Sequence, residues 1–239
     1  MGDDRPILVI GGTRGTGLLV TQLLLRNGAS VRVLARNPAR AAPSLPPDVQ
    51  VVAGDITAAD TLRPAIDGAS HIIFTAGVRS GRPASEASIK ATEYSGTLNT
   101  IAVALRVGFR GRFLYMTSSG VASPSLWSVL LNLYKGNTLV WRRRAEAEIR
   151  ASGLDYTIIR AGILLSRPGG QRAVKVSQDA LPLSLRYRIA RADVAEAFVA
   201  ALDHPRASRA TFEVVWGHGP RTEDWDVLFG RLKPDSARS

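Results

Sequence analysis

The chain has 239 residues, of which 45% are hydrophobic and 21% charged, and its formal net charge at pH 7 is +11. It has no cysteine, which excludes disulfide bonds, thiolate catalysis and thiolate-bound metals. Its three histidines are scattered along the chain and no apolar run is long enough to span a bilayer, so we expect neither a metal site nor a membrane partner.

The excess positive charge does not by itself indicate a nucleic-acid partner. Nearly all of it is arginine, spread over the whole chain, and no basic stripe interleaved with aromatic residues appears. We therefore expect no nucleic-acid binding. The first residues, "MGDDRP", lack the cationic and apolar regions of a signal peptide, so we expect a cytoplasmic protein.

Strand and helix patterns alternate along the first half of the chain. Apolar or alternating runs predict strands at 6–12, 30–36, 49–55, 70–77 and 112–120, and helical periodicity predicts helices at 15–28, 57–68 (with Thr57 as N-cap) and 85–107. A proline-rich loop with room for a broken helix occupies 37–48. This alternation is typical of βαβ units with right-handed crossovers.

The second half continues the same alternation with one looser stretch. It predicts a helix at 138–152, a strand at 155–162, a helix at 191–204, a strand at 210–216 and a short packed helix near the end. The fold class is therefore α/β, a Rossmann-type doubly wound parallel sheet with helices on both faces. We expect residues 1–239 to form a single domain, with substrate-side segments at about 163–190 and 217–239.

A glycine-rich turn, "VIGGTRGTG", follows the first predicted strand and opens the first helix. Glycines there permit a tight turn and let a pyrophosphate approach the N–H groups of the helix N-terminus. We expect a dinucleotide site whose contacts come from Gly11, Thr13, Arg14, Gly15, Thr16 and Gly17. The alternative is a βα turn that is merely rich in glycine.

Arginine stands where NAD-specific sites place an acidic residue. That acid binds the ribose 2′-hydroxyl from the end of the second strand, and here the position is Arg36 in "LARNPAR". Arg36 and Arg14 can grip a 2′-phosphate with planar guanidinium groups. We therefore favour NADP(H) over NAD(H) as cofactor, the alternative being two ordinary surface arginines.

Two further strand ends belong to the same predicted cleft. Asp55 and Ile56 follow the third strand, where an aspartate can face the adenine, although Asp55 could equally cap the next helix. Thr75, Ala76 and Gly77 in "TAGVRSG" (75–81) follow the fourth strand, where small residues leave space for the cofactor.

These motifs resemble the atypical short-chain dehydrogenase/reductase superfamily, in its NmrA-like, NAD(P)-binding branch. The resemblance covers roughly residues 6–216 and rests on the glycine turn, "GDI", "TAG", "FLYMTSSG", "SGLDYTIIRAG" and "RADVAEAFVAAL", in the order of the family. It implies a Rossmann fold, a bound dinucleotide, and a structural role for Asp193, which caps a helix or pairs with Arg191.

The catalytic set that this resemblance implies is incomplete. The family uses a Ser or Thr after the fifth strand, which Ser118 and Ser119 match, although capping would also explain them. It also uses a Tyr-x-x-x-Lys pair, and aligning the helix places Thr138 and Arg142 at those positions. Because a threonine hydroxyl is a poor acid and arginine stays charged, the usual proton relay is absent. Arg142 could still hold the cofactor ribose or phosphate.

Two functions from different classes follow. The first is an NADP(H)-dependent oxidoreductase acting on a small carbonyl, quinone or flavin-like substrate, since hydride delivery is the chemistry of the cofactor itself. The second is a non-catalytic NADP(H)-binding redox sensor, regulator or assembly partner. Trp127 and Trp141 could line a substrate pocket or only pack. The sequence leaves the substrate and the oligomeric state open.

Overall fold

The computed structural model describes residues 4–78, 84–221 and 223–235. Its strands are β1 (Ile7–Ile10), β2 (Val31–Ala35), β3 (Gln50–Ala53), β4 (His71–Phe74), β5 (Arg112–Ser118), β6 (Asp155–Ala161), β7 (Ile163–Leu165), β8 (Val174–Ser177), β9 (Arg188–Ala190) and β10 (Ala210–Trp216). Eight of them form one sheet in the order β3-β2-β1-β4-β5-β6-β10-β8, while β7 and β9 pair separately. All pairs in the large sheet are parallel except β8 against β10.

Helices connect the parallel strands. They are α1 (Gly15–Arg26), α2 (Pro38–Ala41), α3 (Arg63–Ile66), α4 (Glu86–Lys90), α5 (Gly96–Arg106), α6 (Leu126–Tyr134), α7 (Thr138–Ala151), α8 (Arg191–Ala201) and α9 (Trp225–Gly230). A π-helical turn, Ala91–Ser95, joins α4 to α5. None of the helices in the described part of the chain is long and apolar enough to cross a membrane.

Two apolar layers cover the two faces of the sheet. Val20 and Leu24 of α1 belong to the layer that also contains Phe198 of α8. Ile101 of α5 and Ile149 of α7 belong to the layer on the opposite face. These four helices bury apolar side chains against the apolar strands, which accounts for the three-layer arrangement.

The predicted fold class is confirmed, with local differences. The helix predicted at 57–68 is wrong in extent: Thr57 does not cap it, and only a 3₁₀ turn and the four-residue α3 form there. The looser stretch after β7 contains β8 and β9, and α6 forms in a segment where no helix was predicted. In "TAGVRSG", residues 79–81 lie outside the described residues.

The strand order indicates where on the sheet a ligand is expected to bind, namely at the edge formed by the carboxyl ends of the parallel strands. The strand order reverses between the parallel neighbours β1 and β4, because β2 and β3 follow β1 on one side and β5 and β6 follow β4 on the other. In open parallel sheets, ligands bind at this switch point, outside the carboxyl ends of the strands. The loops after β1, β2, β3, β4 and β5 all meet at that edge.

Candidate functional site

The glycine turn packs directly on the tip of β4. A Cβ atom at Gly11, whose φ is +88°, would lie 2.7 Å from the backbone nitrogen of Ala76. One at Gly17 would lie 2.2 Å from the Gly11 carbonyl oxygen. Glycine is therefore required at both positions. The hydroxyl of Thr75 donates to the Ile10 carbonyl at 3.0 Å and thereby closes the turn against β1.

The N-terminus of α1 is left open for an anion. Arg14 occupies the N-cap without a side-chain capping bond, and the first turn has no acidic residue. The hydroxyl of Thr16 is buried and has no hydrogen-bond partner among the described residues. Uncapped N–H groups, a positive dipole end and an unsatisfied hydroxyl together fit the pyrophosphate of a dinucleotide.

The two arginines expected to select the cofactor are both exposed. Arg14 precedes α1 and Arg36 directly follows β2, which pairs with β1. Neither guanidinium forms a hydrogen bond or ion pair with another described residue. Both are therefore available to a phosphate at this end of the sheet. Their role in cofactor choice stays a prediction.

The remaining predicted cofactor residues line the same edge. Thr13, Ala76 and Gly77 are partly buried beside the turn, and Gly15 is exposed with a φ of +56°.

The third strand ends in a turn that Asp55 closes. Its Oδ1 accepts from both the backbone nitrogen and the hydroxyl of Thr57, each at 2.9 Å. Ile56 is buried and its carbonyl accepts from the Asn99 side chain at 2.8 Å. Asp55 thus closes a local turn and caps no helix, since the 3₁₀ turn that follows begins at Ala59 without a side-chain cap, and its contact with the adenine stays a prediction.

Arg191 lies beside the glycine turn. This proximity was not predicted from the sequence. Its Nε is 4.0 Å from the position of a Cβ at Gly15, while its Nη1 donates to the Leu164 carbonyl and the Ser166 hydroxyl. Neither contact expected of Asp193 is formed, because it does not pair with Arg191 and α8 has no side-chain cap. Asp193 is fully buried and accepts instead from the Gly170 nitrogen and the indole of Trp216. Asp193 thus holds the chain after β7 against β10.

A buried carboxylate joins Thr138 and Arg142, the residues at the Tyr and Lys positions of the family. Arg142 donates from Nε and Nη2 to the two carboxylate oxygens of Glu93, at 3.1 and 3.0 Å. The Thr138 hydroxyl donates to the same carboxylate, and the Val78 N–H approaches it at 3.4 Å. Glu93 lies in the π-helical turn, where the irregular helix directs it inward.

Charge pairing keeps this cluster ionised despite its burial. Burial alone would raise the pKa of Glu93, but the charge of Arg142 and the hydrogen bonds from Arg142, Thr138 and Val78 hold that pKa below its ordinary value. Burial lowers the pKa of Arg142, but Glu93 more than offsets it and raises that pKa. The Nη2 atom of Arg142 lies 3.1 Å from the Cβ position of Gly77. The cluster of Glu93, Thr138 and Arg142 therefore packs directly against the loop after β4.

The two serines after β5 face different surroundings. The Ser119 hydroxyl is buried and donates to Glu213 at 2.6 Å, whereas the partly exposed Ser118 donates to the Ser119 carbonyl at 3.0 Å. Glu213 is 1% exposed and also accepts from the Leu181 N–H at 3.4 Å. Sequence reasoning missed both Glu93 and Glu213, because no local pattern marks either residue.

Among the described residues, the cation near Glu213 is Arg160, which it shares with Glu146. Arg160 approaches it at 3.7 Å but makes its two hydrogen bonds to Glu146, at 3.1 and 2.6 Å. Burial raises the pKa of Glu213 to about 7, only partly opposed by Ser119 and Arg160. This carboxyl group consequently titrates near neutral pH.

Comparison with known proteins agrees with this geometry. Residues 11–205 match the NAD(P)H-binding family. The chain is 32% identical to sanguinarine reductase of Eschscholzia californica over 221 residues, which cover 77% of this chain and 79% of the reductase.

Two solved structures share the fold. A putative NAD-dependent epimerase/dehydratase from Bacillus halodurans superposes with a TM-score of 0.76 at 24% identity, over 95% of this chain and all of the other. A short-chain dehydrogenase/reductase from Veillonella parvula, solved in complex with NADP, has a TM-score of 0.70 at 17% identity over 91% and 97% of the two chains. The resemblance to the atypical short-chain dehydrogenase/reductase superfamily is confirmed, and the chain belongs to the NAD(P)H-binding family.

Proposed function

We propose that this protein is an NADP(H)-dependent reductase that delivers hydride to a conjugated, quinone-like acceptor. The observation that carries the choice of cofactor is the pair of exposed guanidinium groups, Arg14 and Arg36, beside the uncapped N-terminus of α1. No acidic residue stands at the end of β2 to bind a free 2′-hydroxyl. A 2′-phosphate fits this arrangement better than a hydroxyl does.

The chemistry available beside the cofactor favours one class of acceptor. Bound NADPH supplies a hydride. The chain contains no Tyr-x-x-x-Lys sequence, and the hydroxyl of Thr138 already donates to the carboxylate of Glu93. Reduction of a simple ketone gives a strongly basic alkoxide, which needs a positioned acid. Reduction of a quinone gives a delocalised hydroquinone anion, which takes its proton from water. The acceptor is therefore of the second kind.

A relative supports the reaction type. Sanguinarine reductase is named as a reductase, and it matches this chain over most of both lengths. That likeness supports a reductase activity. The choice of a quinone-like acceptor rests instead on the absence of a Tyr-x-x-x-Lys sequence that could donate a proton.

One observation favours a second function, a non-catalytic NADP(H) sensor. Glu93 neutralises Arg142 and occupies Thr138, so both residues at the family's catalytic positions are used for internal contacts. A chain that needed only to bind the cofactor would lose nothing by this arrangement.

The choice of cofactor is tested by calorimetric titration of the purified protein with NADPH and, separately, with NADH. We expect micromolar binding of NADPH and much weaker binding of NADH. NADPH consumption is then followed with quinones, dicarbonyls and flavins. Turnover of quinones above about 1 per second, the low end of ordinary kcat values, supports the reductase. NADPH binding without turnover on any acceptor supports the sensor instead.

A further inference from the structure

Arg191, the first residue of α8, brings a positive charge to the glycine turn from a distant part of the chain. Its Nη1 donates to the Leu164 carbonyl at 3.2 Å and to the Ser166 hydroxyl at 3.0 Å. Its Nε faces the turn, 4.0 Å from the position of a Cβ at Gly15. Within residues 4–78, 84–221 and 223–235, no carboxylate pairs with this guanidinium, and its Nε and Nη2 form no hydrogen bond. Two of its donor atoms are therefore available to an anion.

The turn that Arg191 faces is the place where the fold binds a pyrophosphate. Gly15 is the first residue of α1, whose N-terminus has no side-chain cap and no acidic residue in its first turn. Thr16, which is 4% exposed, has a hydroxyl without a partner among the described residues. Free N–H groups and the positive end of the helix dipole attract the pyrophosphate to this position. A guanidinium at the same position adds a charge-assisted contact to that anion.

The first turn of α8 also holds the chain that follows β7. Arg191 binds this chain at 164 and 166, and the Asp193 carboxylate accepts from the Gly170 N–H at 2.7 Å. A Cβ atom at Gly169 would lie only 2.9 Å from the Cβ of Ala192, so the chain packs closely against the helix. Residues 164–170 belong to the segment expected on the substrate side. The same guanidinium therefore contacts this segment and faces the glycine turn.

We propose that Arg191 binds the pyrophosphate of the dinucleotide and couples cofactor binding to the position of the chain at 164–170. An anion on Nε and Nη2 fixes the plane of the guanidinium, and the fixed Nη1 then holds Leu164 and Ser166 in place. An acceptor that contacts this segment binds more tightly after the cofactor than before it. The inference rests on the dinucleotide site of the proposed function and adds to it an order of binding.

The first test measures binding of NADPH, NADH and adenosine 2′-monophosphate, which carries the 2′-phosphate but no pyrophosphate. Arg191→Met should raise the Kd of both dinucleotides about fivefold, the scale of one charge-assisted contact. Binding of adenosine 2′-monophosphate should be unchanged, which also shows that the variant is folded. Arg188→Met, at an exposed arginine of β9, removes the same charge and should leave all three affinities unchanged.

Two results of these titrations would overturn the inference. Unchanged affinities of Arg191→Met for both dinucleotides would show that Arg191 does not bind the pyrophosphate. An equal loss for adenosine 2′-monophosphate would place Arg191 at the 2′-phosphate instead.

Hydrogen exchange tests the coupling to the chain after β7. Saturating NADP⁺ should slow exchange in peptides spanning 163–173 by about fivefold or more in the unmodified protein and in Arg188→Met. In Arg191→Met, saturated with the same cofactor, exchange in these peptides should stay as fast as without it. Slowing of equal size in Arg191→Met would overturn the coupling.

The same measurements distinguish this inference from the proposed reductase, because none of them needs turnover. Binding and exchange that respond to Arg191→Met as expected, without turnover on any acceptor, would support the inference and contradict the reductase. Turnover of quinones with NADPH affinities that Arg191→Met leaves unchanged would support the reductase and contradict the inference.

Discussion

The part of the site where we expect the cofactor (the cofactor side) and the part where we expect the substrate (the substrate side) each contain a buried carboxylate, and the two carboxylates differ in charge balance. Glu93, beneath the loop after β4, is paired with the guanidinium of Arg142 and has two further donors, the Thr138 hydroxyl and the Val78 N–H. Glu213, at the substrate side, shares Arg160 with Glu146 and has mainly the Ser119 hydroxyl. Both are almost completely buried, at 3% and 1% exposure.

This difference teaches that burial alone does not decide the protonation of an internal acid. The pKa of Glu93 is lowered and that of Glu213 is raised to about 7. Desolvation acts on both in the same direction, so the neighbouring charges and the hydrogen-bond donors that face each carboxylate set the outcome. The cofactor side is consequently a fixed ion pair, whereas the substrate side holds a group that changes charge near neutral pH.

The largest effect on stability is expected when the cation on the cofactor side is removed. Arg142→Met leaves the Glu93 carboxylate buried without its partner, and we expect a loss of about 3–5 kcal/mol in the free energy of unfolding. Urea unfolding at pH 7 measures it. Arg143→Met, at an exposed neighbouring position of α7, should change stability by less than about 0.5 kcal/mol. A loss below about 1 kcal/mol for Arg142→Met would contradict the buried-pair interpretation.

The next test concerns the pH dependence of the substrate side. Because the pKa of Glu213 rises from 4.5 to about 7 on folding, the native state holds a proton that the unfolded state has lost between these values. The free energy of unfolding therefore falls as pH rises through this window, by about 3 kcal/mol in total. Glu213→Gln should abolish this contribution and be the more stable protein at pH 8.

Urea unfolding at pH 5, 6, 7 and 8 provides the comparison. Glu223→Gln, at a half-exposed carboxylate paired with Arg231, is the control and should keep most of the pH dependence of the unmodified protein. If the difference between Glu213→Gln and the unmodified protein does not vary with pH, Glu213 is ionised throughout and the contrast with Glu93 fails.

A smaller effect is expected at the phosphate-binding end of the cofactor side. Arg36→Asp should weaken NADPH binding by about 1–2 kcal/mol, the scale of a charge-assisted contact, and leave NADH binding unchanged or improved. Calorimetric titration with both cofactors measures this. Arg106→Asp, exposed at the end of α5, controls for the change in net charge. Equal losses for both cofactors would show that Arg36 does not read the 2′-phosphate.

The smallest effect is expected where the two sides meet, at Arg191. Its side chain contacts the segment after β7 and lies beside Gly15. Because the pyrophosphate is common to both dinucleotides, Arg191→Met should weaken NADPH and NADH about equally, by roughly 1 kcal/mol. Fluorescence titration with each cofactor is sufficient. A loss confined to NADPH would place Arg191 at the 2′-phosphate instead.

Much of the cofactor side was predictable because its signals are local. The glycines of the turn at 11–17, the strand before them and the helix after them are neighbours in the chain, and steric rules for glycine act over the same short distances. The helix predicted at 57–68 failed because Asp55 binds Thr57 in a local turn, which competes with helix initiation. Helix α6 was missed because a short, uncharged apolar run such as LWSVLLNLY does not by itself distinguish a helix from a strand.

The sequence by itself determined the βαβ alternation of the first half, the glycine turn and the arginines near it, since each depends on residues a few positions apart. Only the tertiary structure decided the electrostatics of the site. Arg142 and Glu93 are 49 positions apart, and Ser119 and Glu213 are 94 apart. Which cation meets which carboxylate depends on sheet order and helix packing, and the pKa of a buried group follows from those contacts rather than from its neighbours in the chain.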